Sequence, residues 1–158
     1  MLEDLGCHLL DLCGLLLGHE HERYVLWDLR PVESATFDYG LFSSADRRVV
    51  MEVGTVFWKN CFQIDVYGSA GSLHLDGLSK WDGCALIHRS RVLPSGVPGE
   101  TREQSPPGDH MWEADLAEFE RRVSAGECSL DNDWRISESI ASLLAQARGL
   151  TPSGGMES

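Results

Sequence analysis

Asp4, His8 and Asp11 are the residues whose types and spacing most directly suggest chemistry. On a helix, at about 100° per residue, the three fall within roughly 60° of one another. A carboxylate at i and an imidazole at i+4 can hydrogen-bond, which fixes the ring tautomer and raises its basicity. Proton abstraction from an alcohol needs such a pair, with His8 as general base and Asp4 as the group that orients it. Gly6 lies between them and costs about 1 kcal/mol in a helix interior. Close approach by a ligand or another backbone is one physical reason to tolerate it. The same i, i+4 pair is also common on solvated helix faces, where it contributes a few tenths of a kcal/mol. The spacing alone leaves both readings open.

Other reactive residue types are less organised. His19 and His21, in His19-Glu20-His21-Glu22, would share a face of a strand and could reach one ion. A solvated loop after Gly18 is the simpler reading, because no third ligand can be placed. The five cysteines, Cys7, Cys13, Cys61, Cys84 and Cys128, are odd in number and form no C-x-x-C pair. They suggest small buried hydrophobes and neither a zinc site nor a disulfide framework. A reducing, cytoplasmic compartment and the absence of a bound metal follow as expectations. No G-x-S-x-G occurs, and no Cys/His nucleophile pairing can be placed. Trp27, Trp81 and Trp134 read as core or interface anchors.

The element that must position Asp4 and His8 is a helix over residues 2–17. Leu2, Leu5, Leu9, Leu12 and Leu16 form its stripe, acidic Glu3 and Asp4 suit its first turn, and Gly18 is its stop. A strand-rich middle follows. Residues 23–30 and 36–43 have β-type composition. In residues 48–58, Val49, Met51, Val53, Thr55 and Phe57 alternate to one side. Residues 61–67 alternate again, with Phe62, Ile64 and Val66 on one face and Gln63, Asp65 and Tyr67 on the other. Residues 68–71 read as a turn, with short strands at 72–75 and 84–88. The Pro- and Gly-rich stretch 94–107 reads as a loop with room for one edge strand. Short turns between consecutive strands predict antiparallel pairing.

Two helices close the chain: residues 111–123, with Trp112, Leu116, Phe119 and Val123 on one face, and a second from Asp131 with Ile136, Ile140, Leu143, Leu144 and Ala147 as its stripe. The expected class is α+β: an open, mostly antiparallel β-sheet with helices packed on one face. The other face, bearing Trp58, Gln63, Asp65 and Tyr67, stays available to a substrate or a partner. Residues 1–150 read as one domain and residues 151–158 as a frayed polar tail.

Composition narrows the partners. With 158 residues, the chain can bury a core but has no room for a dinucleotide fold beside a second domain. A net charge of −12 repels nucleic acid and anionic membrane surfaces. The longest apolar run, Leu15 to Leu17, is far short of the roughly 20 residues of a membrane span. The first residues carry no secretory signal pattern.

The first helix, LEDLGCHLLDLCGLLL, resembles the D-x-G-x-H-x-x-D helix of the Gfo/Idh/MocA oxidoreductases, with Asp4, Gly6, His8 and Asp11 in the motif positions. The likeness extends through Trp58-Lys59-Asn60-x-Phe62, Val66-Tyr67-Gly68-Ser69-Ala70-Gly71-Ser72-Leu73 and Leu75-Asp76-Gly77-Leu78 to the two closing helices. The resemblance implies the family's C-terminal domain, which binds a sugar or cyclitol substrate and forms homo-oligomer interfaces. It assigns His8 as the catalytic histidine and Asp4 as its aspartate partner. Asp11, Trp58 and Lys59 would lie on the substrate side.

The departures define what the chain would lack. Neither the family's E-K-P lysine motif nor a G-x-G-x-x-G occurs, so neither NAD nor NADP, the cofactor of the complete enzymes, has a site here. The expectation is a truncated or split gene product without redox activity of its own. The alternative is a non-catalytic oligomerisation module using the open sheet face, or a carbohydrate-binding module.

Overall fold

The first helix fully buries only Leu2 of the leucine stripe its sequence suggests. The computed structural model, which describes residues 1–18, 23–80, 82–108 and 111–150, begins with a π-helical turn, Leu2–Gly6, that runs into α1, Cys7–Leu17. Met1 O accepts the amides of Asp4, Leu5 and Gly6, and the Cys7 amide reaches back to Leu2 O. An i→i+5 turn takes more residues per revolution than an α-turn. The buried positions are therefore Leu2, Gly6, Leu10 and Cys13, spaced four, four and three apart. The expected stripe is displaced: Leu5 and Leu9 are only partly buried, and Leu16 is 54% exposed.

The strands are β1 Tyr24–Arg30, β2 Tyr39–Ser44, β3 Val50–Gly54, β4 Gln63–Tyr67, β5 Gly71–Asp76, β6 Cys84–Ser90 and β7 Gly99–Ser105, followed by helices α2 Met111–Ala125 and α3 Asp131–Leu150. Every strand pair is antiparallel, and the class is α+β as expected. The strands form two sheets, β1-β2-β3 and β4-β5-β6-β7, where the sequence suggested one. The alternation after Val49 stops making ladder bonds at Gly54, which pairs with Tyr39, the first residue of β2. Beyond it the Thr55 amide turns to Asp38 O at 2.9 Å, and among the described residues no strand pairs with the chain there. The chain divides into two compact units. One is built from Met1–Trp58 and the chain from Ser129 onward, and the other is Lys59–Cys128. The His19–Glu22 metal reading, Trp81 and the tail 151–158 lie outside the described residues.

In the first unit α3 closes the core. Ile140, Leu143 and Ala147 are buried, and Ile136 and Leu144 pack against them, as their spacing predicts. They meet Leu26, Phe42 and Met51, which are directly paired across β1, β2 and β3, together with Val53. Phe42 and Leu143 are fully buried, and the Tyr24 ring stands edge-on to Phe42 at 6.2 Å. The Gln146 amide acts as a stand-in strand for the free edge of β1. Its Oε1 accepts the Leu26 amide at 2.9 Å, and its Nε2 donates to Tyr24 O at 3.0 Å. Trp27 follows buried Leu26 on the strand and so faces away from the core, unpaired at the β-bulge between Leu26 and Asp28. Its indole N–H donates to Ser43 Oγ at 2.8 Å, with the Arg47 guanidinium over the ring. Trp27 and Trp134 are exposed, so neither is a core anchor.

The second unit is a four-stranded meander followed by α2. The predicted apolar stripe of α2 lies on one face but covers nothing, since no residue of this helix is buried. The expectation that helices cover one face of the sheet fails here. The helix is held by its own charges: Arg121 bridges Glu118 and Glu127, and Arg122 bonds Glu118 at 2.7 Å. Gly126, in the left-handed region, ends it, with the Glu127 amide bonded to Arg122 O.

Candidate functional site

The residues singled out by sequence are spread over exposed surface. Asp4 and His8 are both exposed, and no hydrogen bond joins them. The π-helical turn carrying Asp4 shifts it from the offset that an unbroken α-helix gives an i, i+4 pair. Gly6 faces inward: a Cβ there would meet Leu2 Cδ2 at 3.2 Å and Ile140 Cδ1 at 3.7 Å, so the close approach it permits is that of α3. Asp11 Oδ1 accepts from Asn132 Nδ2 at 2.7 Å, tying α1 to the first turn of α3. Trp58 is 98% exposed. Lys59 Nζ bonds Asp82 at 2.8 Å, and that carboxylate pushes the ammonium pKa up. A cleft of about 200 Å³ is lined by Met1, Leu2, Glu3 and Phe37, and another of about 540 Å³ by Arg23, Arg135, Glu138 and Gln146. Neither includes Asp4 or His8.

The aspartate–histidine pair that the first helix lacks is built on the second sheet. Period-2 alternation sends Ile64, Val66, Leu73 and Leu75 to one face, and Gln63, Asp65, Tyr67, Ser72 and His74 to the other. The turn after β4 sets the register. The Gly68 amide bonds Gly71 O at 2.8 Å, which pairs Tyr67 with Ser72 and places Asp65 directly across from His74. A Cβ on Gly71 would run into the Arg89 carbonyl of β6, so glycine is required where these strands meet. Cross-strand pairing then sets Arg89 beside Ser72 and Glu100 beside Arg89.

The polar atoms form one chain. Gln63 Nε2 donates to Asp65 Oδ2 at 2.9 Å, and Asp65 Oδ1 lies 2.5 Å from His74 Nδ1. His74 Nε2 is 2.8 Å from Ser72 Oγ and 3.2 Å from Arg89 Nη1. Arg89 Nε in turn donates to Glu100 at 2.9 Å. The edge of one ring meets the face of the other where Tyr67 and His74 pack, centroids 5.5 Å apart. The proton positions follow from the partners. A guanidinium has only donors, so His74 Nε2 must offer its lone pair to Arg89. The ring proton then sits on Nδ1, where the Asp65 carboxylate accepts it in a short, charge-assisted bond. The Ser72 hydroxyl, sharing the Nε2 lone pair, is left to donate toward it. In this tautomer the Nε2 lone pair of His74 faces both the Ser72 hydroxyl and the Arg89 guanidinium. The His74 side chain is 16% exposed and Asp65 34%, so the pair is sheltered by its neighbours yet open on one side.

Of this cluster, sequence alternation identified Gln63, Asp65 and Tyr67 as one face but missed Ser72, His74, Arg89 and Glu100. The signal was present. Extending the period-2 reading through G-S-L-H-L-D, with the turn at residues 68–71 pairing Tyr67 to Ser72, places His74 opposite Asp65.

Among the described residues, no group of three or more His, Cys, Asp or Glu is placed to hold a metal ion. No helix there is long and apolar enough to cross a membrane. All five cysteines are free thiols, and burial raises the pKa of Cys13. Compared with protein-family models, curated proteins and solved structures, the chain matches none.

Proposed function

We propose that this chain is the substrate-side, C-terminal domain of a Gfo/Idh/MocA-like oxidoreductase acting on a sugar or cyclitol in the cytoplasm. What supports the reading is the order of the family-like segments along the chain, opened by Asp4, Gly6, His8 and Asp11. Gly6 turns to the packed side, while Asp4 and His8 remain at the surface within the family-like motif order. The α+β class, with a helix before the strands and two after them, supports it further. His8 would take the hydroxyl proton of the bound alcohol, with Asp4 orienting the ring once substrate is present. Catalytic hydrogen bonds often stay open until the substrate complex forms. Trp58 would contribute to the substrate side, and Asp11 acts through its bond to Asn132 by steadying the helix.

NAD or NADP does not fit the residues described. The Gly68–Gly71 segment is closed by its own hairpin bond, so it offers no cradle for a pyrophosphate. On this reading a nucleotide-binding domain would supply the nicotinamide chemistry, and the described residues would supply the substrate side.

In an enzyme joining this domain to a nucleotide-binding half, His8→Ala lowers turnover by orders of magnitude, measured as NAD(P)H production. Near-normal turnover would refute the assignment. The isolated chain should leave NADH fluorescence unchanged.

A second reading is a homo-oligomeric assembly module using the open sheet face. It is favoured by the exposed Tyr67 and by β7, which is exposed along its whole length. Light scattering across a wide concentration range decides it, and a monomer throughout would count against it.

A further inference from the structure

We propose that Ser72, His74 and Asp65 form a nucleophile, base and orienter that transfer a short acyl group from an ester to water. The inference is independent of the oxidoreductase reading and uses only residues of the second unit.

Two requirements of serine-based acyl transfer are met by position. A hydroxyl must lie within hydrogen-bond reach of an imidazole lone pair, and the far ring nitrogen must be held by a carboxylate. Ser72 Oγ is 2.8 Å from His74 Nε2, and His74 Nδ1 is 2.5 Å from Asp65. Ser72 and His74 are two residues apart on β5 and so project from the same face, with Asp65 across the ladder from His74. The hydrogen bond from Gln63 to the other Asp65 oxygen fixes the carboxylate. These are roles filled by geometry on an unrelated frame, since the sequence carries no nucleophile elbow.

Arg89 supplies the third requirement. Its Nη1 lies 3.2 Å from the same Nε2, on the side where Ser72 stands, and Glu100 holds its Nε. A guanidinium there sits beside the place where negative charge develops on an attacked carbonyl. Its bond to Nε2 favours the tautomer with the proton on Nδ1, and Nε2 takes the Ser72 proton once the guanidinium turns to the carbonyl oxygen of the bound ester.

The reaction balances without a co-reactant other than water. Ser72 Oγ bonds to the ester carbonyl carbon as its proton passes to His74 Nε2, and the oxyanion forms near Arg89. Collapse breaks the bond to the alcohol oxygen, which leaves with the proton from Nε2. Water then attacks the acyl-serine and gives a proton to Nε2. The acid departs as Ser72 Oγ regains that proton. The site is an open sheet face, so it suits an ester presented at the end of a larger group. Tyr67, 77% exposed beside His74, offers a ring against which an aromatic or sugar alcohol can stack.

The test incubates the full chain with 4-nitrophenyl acetate and, separately, a fluorophosphonate. The expected result is nitrophenol release, with acetyl and phosphonyl adducts on the peptide containing Ser72. Both adducts should be lost in Ser72→Ala and reduced at least about tenfold in His74→Ala. Ser72→Cys should regain adduct formation, and circular dichroism with sheet melting confirms that each variant folds. Adducts on other residues only, or an unchanged release rate in folded Ser72→Ala, would overturn the proposal. So would the absence of any adduct on the folded parent chain.

Discussion

His8 and His74 show how much a side chain's surroundings decide. Both are histidines near an aspartate, but only His74 has partners on both ring nitrogens. The sequence made Asp4 and His8 legible because helix spacing is local. Asp65 and His74 lie nine residues apart and become a pair only through the turn between their strands.

Asp38 carries a different residue-scale consequence. Its carboxylate accepts the amides of Val32, Glu33 and Ser34 at 2.6, 2.8 and 2.9 Å, holding the loop between β1 and β2. Burial pushes its pKa up, but the backbone amides outweigh it and hold the carboxyl below the ordinary aspartate value. A depressed folded value gives stability that is present above the unfolded pKa and lost as pH falls through the folded one. The melting-temperature gap between the parent and Asp38→Asn should therefore be widest near neutrality. It should narrow below pH ~4, as followed by thermal melts over an acid series. A gap that grows in acid would contradict this.

At the scale of elements, the order of helices and strands was readable because each period is a property of a short stretch of chain. Six of the seven described strands fall in or beside segments that alternation or β-type composition suggested, and β7 occupies the stretch read as a loop with one edge strand. The π-helical turn was not readable, because it follows from how Leu2 and Leu10 seat against α3 and the sheet rather than from helix propensity. Gln146 was not singled out either, although it satisfies the edge of β1 with two hydrogen bonds. Gln146→Leu leaves both backbone groups without that partner and should lower stability by about 1–3 kcal/mol, measured by urea unfolding. Hydrogen exchange at the Leu26 amide should rise with it. Gly71→Ala, which sets a Cβ against the Arg89 carbonyl, should cost about 1–3 kcal/mol or more through overpacking. The loss should fall on β5 and β6, and unchanged melting would show that the strands can part without penalty. Gly6→Ala meets only side-chain ends, so its gain in helix propensity and its crowding should nearly cancel.

Over the whole molecule, the first unit is assembled from both ends of the chain. Leu143 in α3 is fully buried against residues of β1, β2 and β3, more than 85 positions away in sequence for every strand residue of that core. Leu143→Ala should cost about 2–5 kcal/mol, read from denaturant unfolding followed by tryptophan fluorescence. Ending the chain before Ser129 removes Ile140, Leu143 and Ala147 together, and β1 to β3 should then lose amide protection. Retained protection there would mean that the three-stranded sheet does not depend on α3.

The sequence by itself determined the α+β class, the antiparallel hairpins, the apolar stripe of α3 and the face shared by Gln63, Asp65 and Tyr67. Each depends on periodicity within a few residues. Only the tertiary structure decided that the strands split into two sheets, that α2 buries nothing, that Gly6 serves α3, and that His74 rather than His8 is the histidine held by an aspartate. Those outcomes depend on which distant groups meet, and free backbone bonds, buried apolar surface and strand register are settled between segments rather than within them.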